Sequence, residues 1–92
     1  MGERTKKKNG EKTIISPPTG ISQSGRSMII IIHLHGIPEE NIRIDLEKKQ
    51  LIISASKPDA MVMRKISVPE GSRISKKRFR DGILEVILER PL

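Results

Sequence analysis

The side chains with the widest chemical repertoire in this chain are His33 and His35, which stand two apart. In an extended segment residues i and i+2 share a face, so both imidazoles could approach one metal ion, for which imidazole is a frequent ligand. A metal centre needs further ligands and outer hydrogen bonds to orient them, and no third ligand stands near this pair in the sequence. A solvated pair at the rim of a sheet is therefore expected, with no metal and no other cofactor. Enzyme chemistry finds as little support. The chain has no Cys, which removes thiolate nucleophiles, thiolate metal sites and disulfides. It has neither a Gly-rich phosphate loop nor a Ser-His-carboxylate set, and its acidic residues fall in turns or on alternating strand faces. The expectation is a protein that is not an enzyme.

The densest charge cluster is Arg73 to Arg80, RISKKRFR, in a chain of net charge +7 and pI near 10.2. Such a balance attracts nucleic acid, anionic lipid and acidic proteins alike. Sequence-tolerant binding of single strands adds aromatic stacking to the charge, and Phe79 is the only aromatic residue. Lysines and arginines on an edge strand are also the usual protection against edge-to-edge aggregation. The cluster is read in that sense, with a basic nucleic-acid module as the weaker alternative. No long apolar stretch opens the chain, so neither a signal peptide nor a membrane span is expected. The corresponding expectation is a cytoplasmic location without membrane partners.

The apolar pattern defines the elements that position these residues. Between Met28 and Ala55 lie apolar runs rich in β-branched residues, parted by turn formers. In the first, Ile30, Ile32 and Leu34 share one parity, and the other passes from Ile29 and Ile31 to His33 and His35; the first set is expected to face the core. The second, Ile42 to Glu47, alternates apolar with charged residues, as a strand with one wet face does. The third, Leu51 to Ala55, follows Lys48-Lys49-Gln50 closely enough to pair antiparallel with it. Gly36 and Pro38 reverse the chain between the first two runs, and Ile37 plugs the end of the core.

Residues 1–12 hold no apolar residue after Met1 and carry Arg4, Lys6, Lys7, Lys8 and Lys12. They are expected to form a basic tail that cannot offset the entropy of ordering, and residues 13–92 a single small domain. Thr13 to Ile15 reads as a short edge strand ended by Pro17 and Pro18, and Ser22 to Ser27 as a polar link. Ser56 to Ala60 is a compact turn, and Met61 to Val68 a strand. In that strand Arg64 shares the parity of Val62, Ile66 and Val68, so its head group must reach a carboxylate or the sheet rim. Within Arg73 to Arg80, Lys76, Arg78 and Arg80 share one face and Lys77 and Phe79 the other. Asp81-Gly82 signals a hairpin, and Ile83 to Glu89 is the last strand. Six or seven short strands with no helical period predict an all-β fold, an immunoglobulin-like antiparallel β-sandwich. Ile32, Leu34, Ile44, Ile53, Ile66 and Val86 are its expected core.

Several spacings resemble the α-crystallin domain of small heat-shock proteins. Ile32-His33-Leu34-His35-Gly36-Ile37 with Glu40-Asn41-Ile42 is similar to the family's apolar-x-Leu-Pro-Gly-Val motif and the strand opening after it, with His35 in place of Pro. Leu51-x-Ile53-x-Ala55 matches Leu-x-Ile-x-small, Val62-x-Arg64-x-Ile66-x-Val68-Pro69 resembles Phe-x-Arg-x-Phe-x-Leu-Pro, and Asp81-Gly82-Ile83-Leu84 stands for polar-Gly-Val-Leu. The resemblance covers most of the chain from Ser16 to Arg90. It departs from the family where only Ser56 to Ala60 replaces a long loop whose strand partners exchange, where no Ile-x-Ile follows the last strand, and where Lys77 replaces a small residue.

The resemblance implies a sandwich of α-crystallin type and an ATP-independent chaperone, a holdase that binds non-native proteins. It also implies a groove for apolar strands, bordered here by Ile42, Ile44 and Leu46 on one side and by Lys76 and Arg78 on the other, and gives Arg64 the place of an inter-strand or interface arginine. The departures lead us to expect a monomer or weak homodimer. The alternative is an adaptor similar to the CS-domain co-chaperones, docking one folded partner protein.

Overall fold

A computed structural model of the protein describes residues 13–91; the basic tail expected over residues 1–12 lies outside the described residues. The strands are β1 (Thr13–Ile15), β2 (Thr19–Ser24), β3 (Ser27–His33), β4 (Ile42–Leu46), β5 (Gln50–Lys57), β6 (Ala60–Ser67), β7 (Arg73–Arg80) and β8 (Ile83–Glu89), with one 3-10 turn over Glu39–Asn41. They form two four-stranded sheets, ordered β1-β6-β5-β4 and β2-β3-β8-β7. The expected β-sandwich is therefore present.

Alternation drives the packing. Along β3, Met28, Ile30 and Ile32 are buried while Ile29 and Ile31 are half-exposed on the outer face. In β8 the buried set is Leu84, Val86 and Leu88. Opposite them β5 contributes Leu51, Ile53 and Ala55 and β6 contributes Val62 and Ile66. Ile37 is only 6% exposed and closes one end of this layer, as expected. Of the expected core residues, Ile44 differs: it is half-buried and packs against the core from an edge strand.

Two expectations are corrected. The stretch read as a polar link from Ser22 contains the second half of a strand: β2 pairs with β3 residue by residue, from Thr19 opposite Ile32 to Ser24 opposite Ser27, around a turn at Gly25 and Arg26. Serine and glutamine show no apolar alternation, but β2 is an edge strand whose side chains are mostly exposed; backbone pairing with β3 holds it, and Arg90 donates to the Gly25 carbonyl in the turn that follows it. The sandwich is also not wholly antiparallel, because β1 lies parallel to β6, with Ile14 opposite Met61. The prolines that stop β1 also carry the chain across to the other sheet, so β1 and β2 cannot form one hairpin.

The other connections are tight. Only Pro58 and Asp59 separate β5 from β6, so these strands pair from Gln50–Ser67 to Lys57–Ala60 with no loop to spare. Asp81 (φ 52) and Gly82 (φ 78) both adopt positive φ between β7 and β8. This is the geometry of a type I′ hairpin turn, whose twist matches that of the strands it joins.

Candidate functional site

β4 ends one sheet and β7 ends the other, so among the described residues each has a strand neighbour on one side only. The inward parity of β4 consists of Ile42, Ile44 and Leu46, opposite Ala55, Ile53 and Leu51. The inward parity of β7 is set by Lys77 opposite Val86 and Phe79 opposite Leu84, both partners being buried. Where the two edges face each other, the sheets are not sealed. A cleft of about 220 Å³ runs between them, lined by Glu39, Ile42, Ile44, Lys77, Arg78, Phe79 and Leu84.

Its floor is apolar, with Leu84 buried and Ile42, Ile44 and Phe79 packed on the core from the margin. Its β7 wall is cationic through Lys77 and Arg78, and Glu39 stands at one end on the 3-10 turn. The Asn41 side-chain amide donates to the Ser56 carbonyl at 3.2 Å, which ties the entry of β4 to the neighbouring strand β5. The rim is therefore held at both sheet edges by backbone pairing, while the centre remains open.

The structure brings Ile42, Ile44 and Arg78 together at this cleft and leaves two expected members outside its lining. Leu46 continues the inward row of β4 but packs against the core beyond the opening. Lys76 lies on the outer face, opposite Ile87, because the inward positions of β7 belong to Lys77 and Phe79. The cationic wall is thus Lys77 with Arg78 rather than Lys76 with Arg78. Lys77 is in step with the inward Phe79 while Lys76 and Arg78 are both out of step, and of these two only Arg78 borders the opening, from the outer face of the edge strand. A bulge between Ile74 and Lys76 then keeps both Ile74 and Phe79 inward despite their odd separation.

Arg64 sits on the inward parity of β6, opposite Ile53, and its Nη1 donates to the Ser16 Oγ at 3.2 Å. It reaches the rim at the β1–β2 link, two strands along the sheet order from β4, and its Nε is buried without a hydrogen-bond partner among the described residues. His33 ends β3 and His35 lies in the turn after it, their ring centroids 5.8 Å apart and tilted by 36°. Among the described residues no three His, Cys, Asp or Glu side chains cluster as metal ligands would. No helix among the described residues is long and apolar enough to cross a membrane.

No protein-family model matches the chain, and no curated protein aligns with it significantly by sequence. Solved structures do match. Heat shock protein 16.0 from Schizosaccharomyces pombe superposes with a TM-score of 0.75 at 18% identity, over 90% of this chain and 72% of that one. The small heat-shock protein AgsA of Salmonella typhimurium, in a C-terminally truncated form, gives 0.73 at 15% identity, over 83% and 88%. A small heat-shock protein from Synechococcus phage S-ShM2 gives 0.69 at 20% identity, over 83% and 88%. The fold is that of the α-crystallin domain of small heat-shock proteins.

Proposed function

We propose that this protein is an ATP-independent chaperone of small heat-shock type, a holdase that takes extended segments of non-native proteins into the cleft between β4 and β7. The observation that carries this reading is the cleft itself, an apolar gap between two strands with one neighbour each. An extended segment laid there can add a strand to an edge through its backbone while its alternate side chains enter the gap. Backbone pairing does not depend on client sequence, so selection falls on whichever chain exposes an apolar stretch. The shared fold supports the same reading.

Ile42, Ile44 and Phe79 supply the apolar contacts in this proposal, and Leu46 extends that row. Lys77 and Arg78 set the preference. Covering an ammonium or guanidinium with apolar groups alone is unfavourable, so a segment with a carboxylate beside its apolar anchors fits better than a purely apolar one. The two-residue turn at Pro58 and Asp59 provides no loop for exchange between partners, in keeping with a monomer or weak dimer as the working form.

The test is aggregation of several unrelated heated proteins, followed by light scattering with and without the chain in excess. Suppression for all of them, lost in Ile42→Ser/Ile44→Ser, is the expected result. An adaptor that docks a single folded partner would protect none of these clients, and that outcome would overturn the proposal.

A further inference from the structure

The two outer faces of the sandwich differ in charge pattern. On the β4-β5-β6 side, outward positions mix Arg43, Asp45, Ser54, Lys65 and Ser67 with the half-buried Ile52, Met61 and Met63, and the charges are of both signs and form no row. On the other side the central pair β3–β8 turns out Ile29 opposite Ile87, Ile31 opposite Glu85 and His33 opposite Ile83. These four isoleucines are half-exposed. Along one flank β7 sets Lys76, Arg78 and Arg80 opposite Ile87, Glu85 and Ile83. The other flank, Gly20 and Ser22 of β2, has little side chain to cover them. Between Ile31, Ile83, Glu85, Arg78 and Arg80 the face is hollowed by about 230 Å³. Glu85 is 3.9 Å from Arg78 and is the one ion-pair partner of the basic row among the described residues.

We infer that this face is a second docking surface, distinct from the β4–β7 cleft although Arg78 borders both, and that its occupant is an acidic amphipathic helix of another protein. The inference goes beyond the chaperone reading and does not depend on it. The backbone groups of β3 and β8 are already paired within the sheet, so the face cannot accept a strand as the cleft can; only side chains are on offer. The basic row repeats every second residue, a spacing of about 6.6–6.8 Å along the strand. A helix lying along the strands repeats every fourth residue at about 6 Å, so carboxylates at i, i+4 and i+8 can follow Lys76, Arg78 and Arg80 while the adjoining apolar stripe covers the isoleucines.

Charge excludes nearer occupants. Residues 1–12 carry Arg4, Lys6, Lys7, Lys8 and Lys12 against Glu3 and Glu11, the wrong sign for the row. A second copy of the same face would bring its own basic row with it. The hollow favours a protein side chain over a lipid surface, since membrane insertion calls for apolar groups that protrude.

The experiment uses the whole chain with isotope-labelled isoleucine methyls. The probe is a synthetic amphipathic peptide of roughly 18 residues, about five helical turns, with Leu on one face and Glu along its border; a second peptide carries Lys at the Glu positions. The expected result is that the Glu peptide shifts the methyls of Ile29, Ile31, Ile83 and Ile87 and leaves those of Ile42 and Ile44 in place. Lys76→Glu/Arg80→Glu, two exposed positions outside the core, should weaken binding at least fivefold, and the Lys peptide should bind no better to wild type. Shifts centred on Ile42 and Ile44 would place the peptide in the cleft and overturn the inference. So would equal binding of both peptides, shifts produced by raising protein concentration alone, or binding only of anionic vesicles or RNA. Aggregation suppression read on the same double variant separates this face from the chaperone reading: it should be unchanged.

Discussion

Gly82 lies against His35: a Cβ built on Gly82 would stand 2.5 Å from the His35 Nδ1 and 3.0 Å from its Cα. The Leu34 amide also donates to the Gly82 carbonyl at 2.7 Å. The β7–β8 hairpin is thus clamped to the end of β3, and the glycine is required both by its φ of 78° and by the imidazole packed on it.

Gly82→Ala should therefore destabilise by about 1–3 kcal/mol, the usual range for a strained backbone position. Gly20→Ala meets nothing within 4 Å and should change stability by no more than about 0.5 kcal/mol, as an ordinary surface change does. Urea unfolding of both variants checks the contrast. Equal losses would mean that the hairpin is not clamped.

Among the described residues Arg64 divides into a packed stem and a poorly satisfied head, since its Nε is buried without a partner and its one side-chain bond is to the Ser16 hydroxyl. Arg64→Met keeps the stem and removes the unsatisfied donor, so it should hold stability within about 1 kcal/mol of wild type or raise it. Arg64→Ala should lose about 1–3 kcal/mol through lost packing. If Met proves as damaging as Ala in denaturant titrations, the bond to Ser16 is what matters at this position.

In the core, Ile53 is 1% exposed and Ile53→Ala should cost about 2–5 kcal/mol. Ile44, opposite it on the edge strand, should cost less when truncated because part of its surface is already in water, and Glu85→Ala on the outer face should cost little. Thermal unfolding should rank the variants in that order. Equal losses at Ile53 and Glu85 would show that the faces have been misassigned.

For the cleft, an Ile-x-Ile peptide flanked by Glu should bind more tightly than the same peptide without Glu, and the advantage should shrink as salt rises. Exposed ion pairs contribute only about 0.2–1 kcal/mol each, so the difference is a few-fold. Lys77→Val should abolish most of that advantage and strengthen binding of the purely apolar peptide. Fluorescence anisotropy at low and high salt reads both effects, and a salt-independent tie between the peptides in wild type would remove Lys77 and Arg78 from the site.

The amino-acid sequence by itself determined the strands whose side chains alternate in polarity or form short β-branched apolar runs. Ile42 to Glu47 announces itself because one face must be dry and period-2 alternation is the trace of that demand, while Met28 to His33 and Ile83 to Glu89 are marked by short, largely apolar runs rich in β-branched residues between turn formers. The Asp81-Gly82 turn was legible for a related reason, since few residue pairs accept positive φ at both positions. These signals sufficed for a β-sandwich, for Arg64 as an inward cation that must reach the rim, and for a pattern similar to the α-crystallin domain.

Only the tertiary structure decided what depends on neighbours brought from elsewhere in the chain. β2 forms because β3 presents a row of backbone partners to it, and residues such as Ser22, Gln23 and Ser24 carry no trace of that in their own polarity. β1 pairs in parallel because the Ser16-Pro17-Pro18 link carries the chain between sheets, which no local period encodes. The cleft wall was settled in the same way. Lys76 and Lys77 are chemically equivalent neighbours, and the pairing of Lys77 with Val86 and of Lys76 with Ile87 is what turns one inward and the other out. A lysine's side chain is neutral about which face it takes, so its position is imposed by Phe79, Leu84 and the bulge after Ile74, whose burial has a far larger free energy at stake.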